Sequence, residues 1–493
     1  MIVQCAWQEV LPFWSGCPLV LEPSCMHLTK DAGLLPLRVF DQNLGLTQRF
    51  AAVLDDPRHP SQCEHSVLDM VRSRIYGILA DYEDQNDHDT LRADPVFKLL
   101  LDRTPDGPDL ASQPTLSRFE NSINIPSLKR LRDVFIDAFI AAFSQPPRRL
   151  LFDLDAVDDP AHGHQQLSCW HNYYDQNQYY PLVLTCANND LVVMLSLRHG
   201  SAPATLGAAD DLEYLVRRLR QVWPDVVIVV RGDAAFGVPD LYEVCERLRL
   251  IYTFGLTANS VLYGLTEALL TQAVTSWEQE RQQARQQERT PQPSRVFTGF
   301  SYQAGTWPHA RWVVAKAAAN EQGSQRRFVV TNRPGAEHYA AATYDDYAMG
   351  GESENRNKEL KCGCAMDRLS DHRFLANYFR LYLHGAALNL LVCFRQAVQL
   401  PEPVAASASE VPTEALAGEE RARYFRLRRQ RDVLGQGQPE TWRRLLLKVA
   451  AAIVVSSRRV LVRLCGSWPH LELFQGVCQR RRDYLANRAA IPT

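Results

Sequence analysis

Two stretches decide the fold: RRLLFDLDAVDD (Arg148–Asp159) and VVIVVRGDAAF (Val226–Phe236). The first reads as a strand from Leu150 to Asp155 that ends in carboxylates. Side chains two apart on a strand project alike, so Asp153 and Asp155 share a face. The second is a short, fully apolar run that stops at Arg231-Gly232-Asp233. Runs as continuous as Val226–Val230 are typical of strands buried on both faces. Gly232 leaves room for a close approach just before Asp233.

Working outward, YYPLVLTCANNDLVVMLSLRHG (Tyr179–Gly200) holds two apolar runs around a polar turn, a hairpin signal. DDLEYLVRRLRQVWP (Asp210–Pro224) is amphipathic at helical spacing and closes on Pro224. PDLYEVCERLRL (Pro239–Leu250) reads as a helix and IYTFGL (Ile251–Leu256) as a strand. Strands alternating with helices indicate an α/β core, a mixed sheet flanked by helices. SRVFTGFSYQ, ARWVVAKAAA and RRFVVTN, between Ser294 and Asn332, are strand-like and read as a β-rich insertion.

These features divide the chain into a helical N-terminal domain (1–145), a first part of the α/β core (146–257), the β-rich insertion (258–345), a helical core part bearing Glu354 (346–400), a linker by composition (401–420) and a basic C-terminal region (421–493). The C-terminal region is expected to form two helical stretches around the apolar run Val449–Val455. LASQPTLSRFEN (Leu110–Asn121) is read either as the turn and second helix of a helix-turn-helix, with Ser117 and Arg118 at DNA, or as an ordinary capped helix.

Charge supports a polyanionic partner. The net charge of −2 over 493 residues conceals a C-terminal segment, from Arg421, with 16 Lys and Arg against 4 Asp and Glu. A basic tail on an acidic body fits DNA backbone held by residues such as Arg428, Arg429, Arg443 and Arg444. The 12 cysteines form no disulfide framework, which favours a cytoplasmic setting. The N-terminus lacks the pattern of a signal peptide, and the apolar runs are too short to span a membrane.

Phosphodiester chemistry with two metals needs carboxylates that converge from separate elements. Asp153 or Asp155 from the first strand and Asp233 from the second are candidates. YDDYAMGGESENRNKELK (Tyr344–Lys361) supplies the third element, with Tyr347, Glu354 and Lys361 seven residues apart. On a continuous helix that interval is close to two turns and makes one stripe: a phenol, an acid and an ammonium.

In these residues the chain resembles the DDE transposases of bacterial insertion sequences, in the subgroup with a Y-x2-R-x3-E-x6-K signature and, within it, the 1380 group. The resemblance covers nearly the whole chain. It includes HSVLDMVRSRIYGILADYEDQNDHDTLRADP, SQPTLSRFEN, FDLDAVDDPAHGHQ, VVRGDAAF, RFVVTN, ENRNKELK and DRLSDHRFLANYFRLYLHGAAL. It implies an RNase H-like catalytic fold interrupted by a β insertion, with Asp155, Asp233 and Glu354 as metal-binding catalytic carboxylates. Asp155 is preferred to Asp153 because the family's first Asp lies two before a Thr, here Val157. Tyr347 and Lys361 match the signature. The resemblance further implies two Mg²⁺ ions (Mn²⁺ as substitute), terminal inverted repeats and target DNA as partners, a homodimeric synaptic complex, and a bacterial, nucleoid-associated location. The signature Arg falls on Gly350, so Arg356 or Arg373 would have to take its place at phosphate. A nuclease without strand transfer and a non-catalytic DNA-binding remnant are the rival readings.

Other constellations carry less. His162 and His164 lack further ligands at zinc spacing. Cys362 and Cys364 would point to different faces of a helix, and Asp81–Asp89 lacks the EF-hand pattern. Trp307 is read as a core residue of the insertion or as a ring stacked on an unpaired base.

Overall fold

The computed structural model describes residues 8–11, 17, 19–21, 27–59, 61, 63–400, 432–435 and 437–489. The expected linker (401–420) and the start of the basic region, with Arg428 and Arg429, lie outside them.

Eight strands form one central sheet: β1 (Arg149–Ala156), β2 (Leu182–Cys186), β3 (Val192–Ser196), β4 (Val227–Gly232), β5 (Ile251–Leu256), β6 (Ser294–Tyr302), β7 (Arg311–Asn320) and β8 (Gly323–Thr331). Their spatial order is β6-β7-β8-β5-β4-β1-β2-β3. Strand β4 runs parallel to β1 and β5, whereas β2 is antiparallel to β1 and β3 to β2. All five residues of β2 and five of six in β4 are buried, as expected for strands covered on both faces. The helix Ala208–Val222 turns Leu212, Leu215, Val216 and Leu219 inward at helical spacing.

The three insertion strands do not form a separate sheet. Strand β8 pairs antiparallel with β5, so β6–β8 extend the central sheet by one edge. That edge was free to grow because β5 presents unpaired backbone groups there.

The other edge is closed by the helix Phe374–Val398. This helix is long and apolar enough to cross a membrane, but it is almost entirely buried within the protein. The Asn389 side chain accepts from Val192 N (2.9 Å) and donates to Val192 O (2.8 Å), replacing a neighbouring strand. Gly385 permits the approach, since a Cβ there would stand 2.5 Å from Leu195 Cδ1.

The N-terminal helices pack on that same helix. Their junction is a buried ion cluster. Glu120 accepts from Arg74 Nε (2.8 Å) and Arg380 Nε (2.6 Å), with all three side chains under one-tenth exposed. Burial raises the Glu120 carboxyl, but Arg380 and Arg74 outweigh it and hold it at about 2. His88 and His384 lie beside the cluster, kept neutral by burial at about 3.

The C-terminal region differs from the expected basic helical tail. Its apolar run forms a strand, Ala451–Val455, between Val460–Leu464 and His27–Thr29 in a three-stranded sheet. The helix Leu471–Ala489 packs against Phe374–Val398 and Leu34–Leu44. The β-branched run AAIVV satisfies its backbone through a partner more than 400 residues earlier, which local periodicity cannot reveal. Arg443 is likewise buried, donating to the carbonyls of Ile78 and Leu79 and pairing with Asp81. Its guanidinium is thus engaged within the fold and not presented at the surface, unlike the expectation for a DNA contact.

Two stability predictions follow from these buried charges. Glu120→Ala leaves two guanidiniums uncompensated and should cost about 3–5 kcal/mol in denaturant unfolding. Acid should destabilise the protein in two windows. The histidines' contribution, full above their unfolded value of 6.5, is lost as pH falls toward 3. That of Glu120, full above 4.5, is lost as pH falls toward 2.

Candidate active site

Strand register builds the site. Strands β1 and β4 pair with Asp153 opposite Arg231 and Leu154 opposite Gly232. One step further along these parallel strands, Asp155 is still paired with Val183 of β2, while Asp233 is the first residue past the end of β4. Neighbouring strands lie about 4.8 Å apart, so the two carboxylates emerge side by side.

The two acids of β1 have different surroundings. Asp153 is buried and fully engaged: Arg231 donates to both its oxygens (2.7 and 3.0 Å) and Arg356 to Oδ2 (2.9 Å). Asp155 Oδ2 is buried without a hydrogen-bond partner among the described residues. Burial chiefly, with Asp153 and Asp233 adding their charge, pushes the Asp155 carboxyl up to about 6, against the opposing effect of Ser353 and Asn357. Asp233 caps the short turn Ala234–Phe236, its Oδ1 accepting from Ala235 N (2.9 Å), and the residue is exposed.

Tyr347 joins them. A Cβ on Gly255 of β5 would stand 2.8 Å from the Tyr347 phenol oxygen and 2.6 Å from Ala234 N. Glycine is therefore what lets the phenol reach the turn that follows Asp233. Burial first, then Tyr344 and Asp233, push that phenol up to about 12.

The expected Tyr347–Glu354–Lys361 stripe is not on one helix. The chain forms Ala340–Ala348, breaks at Met349-Gly350, resumes as Gly351–Lys358 and widens into a π turn at Glu359–Gly363. Adjacent glycines are poor helix formers, which accounts for the break. On Gly351–Lys358 the inward positions belong to Ser353 and Arg356, which are buried, and to Asn357, half-buried beside Asp155. Glu354 is exposed, one residue round from Ser353. Among the described residues no three acidic, His or Cys side chains stand in metal-binding convergence. Lys361 is held by Asp158 at 2.8 Å.

Several expected contacts find other employment. Arg356 is buried and bound to Asp153 and to Asp190 (2.7 Å), bracing its helix against β1 and the β2–β3 turn. It is therefore not free to replace the signature Arg. Arg231 lies under Gly350, its Nε 3.6 Å from where a Cβ would be, and donates to Asp346 O. Arg373 donates to Asn121 O, beside Ser117 in a polar cleft. Arg118 is exposed on the helix Gln113–Asn121, while Arg444, Arg458 and Arg459 are exposed on the C-terminal segment. Trp307 is 6% exposed, edge-on to Tyr242 and Tyr302, which is the core reading of that residue. His162 and His372 bind the carbonyls of Asp367 and His164.

Sequence reading missed Arg231, Ser353, Asn357 and Asp158. Only the i, i+4 spacing of Ser353 and Asn357 offered a signal, and it needed Asp155 as its target.

The family model described as transposase DDE domain, group 1, matches residues 12–410. The chain belongs to the DDE transposase family. Its members are DNA transposases, and their DDE domains generally use divalent metal ions. A solved structure titled as a piggyBac transposase synaptic complex with hairpin DNA is similar at 11% identity. The match covers 76% of this chain and 78% of that one, at a TM-score of 0.37. No curated protein matches the chain.

Asp155 and Asp233 bring together oxygen donors of the kind a hard divalent cation prefers, one oxygen being buried and unpartnered, but among the described residues no third carboxylate converges on them. The contrast between the two β1 acids is testable by thermal and denaturant unfolding. Asp153→Asn breaks a buried ion cluster and should cost about 3–5 kcal/mol. Asp155→Asn removes a carboxylate charge that burial and its acidic neighbours disfavour, and should leave stability equal or higher.

Proposed function

We propose that this transposase cleaves the ends of an insertion sequence and joins the freed 3′-hydroxyl to target DNA. Asp155, Asp233 and Glu354 are its metal-holding carboxylates. The observation that carries this reading is the unpartnered Asp155 oxygen, which feels the charge of Asp233, each residue following the last paired position of the adjacent parallel strands β1 and β4. The order β3-β2-β1-β4-β5 supports an RNase H-like core. The quoted motifs support the 1380 group.

In the first step water attacks a phosphodiester, the P–O3′ bond breaks and a 3′-hydroxyl is left. In the second, that hydroxyl attacks a target phosphodiester and displaces another 3′-oxygen. Two bound Mg²⁺ ions, replaceable by Mn²⁺, would supply activation of the attacking oxygen and charge stabilisation on the leaving oxygen. Asp155 and Asp233 hold their side of the site from rigid strand ends. Glu354 approaches from the helix whose Ser353 and Asn357 already border Asp155. Tyr347 orients groups beside Asp233, and Lys361 meets phosphate on release from Asp158. Partners are terminal inverted repeats and target DNA, bound by a homodimer.

A second reading, a DNA-binding protein without catalysis, rests on Gly350, where no arginine reaches out to phosphate. Cleavage of the element's ends with Mg²⁺ separates the two. Asp155→Asn, Asp233→Asn and Glu354→Gln should each lower cleavage at least a hundredfold while still binding DNA. Binding without any nick by the unaltered protein would establish the second reading instead. The exposed pair Arg458 and Arg459 should contact phosphates. Replacing both by Ala should weaken binding and reduce the log–log salt slope by about 2; an unchanged slope would remove them from the interface.

A further inference from the structure

The hairpin between β1 and β2, CWHNYYDQNQYY (Cys169–Tyr180), takes no part in the carboxylate site as described. Its strands Cys169–His171 and Gln176–Tyr179 pair antiparallel, with Asp159–Pro160 as a third. Turns usually carry polar residues. This one places Tyr173 in water at 84% exposure and Trp170, on the adjoining strand, at 50%. Beneath Tyr173, the rings of Tyr174, His171 and Tyr180 follow one another at 5.0–6.0 Å.

The hairpin is firmly seated. Its backbone lies so close to Gly200 that a Cβ there would meet Gln178 O at 1.9 Å and Cys169 O at 2.4 Å. Gly200 N donates to Leu167 O and Tyr180 N to Arg198 O. It is also tied to the site. Gln176 Nε2 donates to Asp158 Oδ2 (3.3 Å), and the other oxygen of Asp158 holds Lys361. Tyr180 is near enough to feel the charge of Asp233.

Single rings standing among exposed Asn172, Asp175 and Asn177 do not make the continuous apolar centre of a protein interface. They do suit stacking, because every base has a flat apolar face and an opened duplex end leaves one uncovered. We propose that Trp170 and Tyr173 form a stacking platform for unpaired nucleobases of the DNA held at Asp155 and Asp233. This rests on the transposase reading above.

The test uses the full chain with Ca²⁺ in place of Mg²⁺ and two probes carrying the element's terminal sequence: a fully paired duplex, and the same duplex with unpaired nucleotides at its cleaved end. Fluorescence anisotropy should show the unaltered protein preferring the forked probe about tenfold or more. The double variant Trp170→Ala, Tyr173→Ala should lose that preference while binding the paired duplex within twofold of the unaltered protein. Phe at both positions should restore it. Tyr173→Ala alone, at a nearly fully exposed site, should lose part of it and guards against misfolding. A fork preference intact in the double variant overturns the platform. So does equal loss on both probes, or a change confined to sedimentation, which would mark the hairpin as a contact between copies. Cleavage in Mg²⁺ is read separately: its absence in the unaltered protein defeats the transposase reading, whereas cleavage with an unaltered fork preference in the double variant defeats only the platform.

Discussion

The rest of the site depends on one buried carboxylate, Asp153, held between two guanidiniums. Arg231 reaches it across the β1–β4 pair and Arg356 from the helix that carries Glu354. Burying three charges is costly unless geometry and hydrogen bonding are good. Here both Asp153 oxygens are satisfied, and the arginines continue to Asp346 O and Asp190. The cluster fixes the spacing of β1 against β4 and brings the helix Gly351–Lys358 down on them. It also divides labour between two acids two residues apart. Asp153 is fully paired, so Asp155 is the one left with an open oxygen.

That division explains a tension in the sequence. Asp153 and Asp155 share a strand face, and nothing local distinguishes them; their difference comes from residues 78 and 203 positions away from Asp153. The placement of Asp155 and Asp233 at strand ends was legible, because apolar runs stop where a sheet meets solvent. The flanking helices were legible from their spacing. The pairing of Ala451–Val455 with His27–Thr29 was not, nor was the addition of β6–β8 to the β5 edge, since both rest on long-range backbone pairing. The two intervals of seven, Tyr347 to Glu354 and Glu354 to Lys361, read as one helix, but the Gly350-Gly351 pair breaks it.

Gly350 links the family resemblance to this chain's own chemistry. The subgroup signature that the sequence resembles would place an arginine there, and this chain has Arg231 packed beneath the position instead, already committed to Asp153. Arg356, the nearest sequence substitute, belongs to the same cluster. Lys361, the last residue of the Tyr347–Glu354–Lys361 series, is likewise engaged, by Asp158. The aromatic hairpin and Lys361 are both held by the same Asp158, through Gln176 and the Lys361 ammonium respectively.

The central claim is that Asp155, Asp233 and Glu354 make one divalent-metal site. Isothermal titration of Mn²⁺ into the full-length protein tests it most directly. The account predicts saturable binding that is lost or weakened at least tenfold in Asp155→Asn, Asp233→Asn and Glu354→Gln. Binding of Mn²⁺ to all three variants as tight as to the unaltered protein would contradict it.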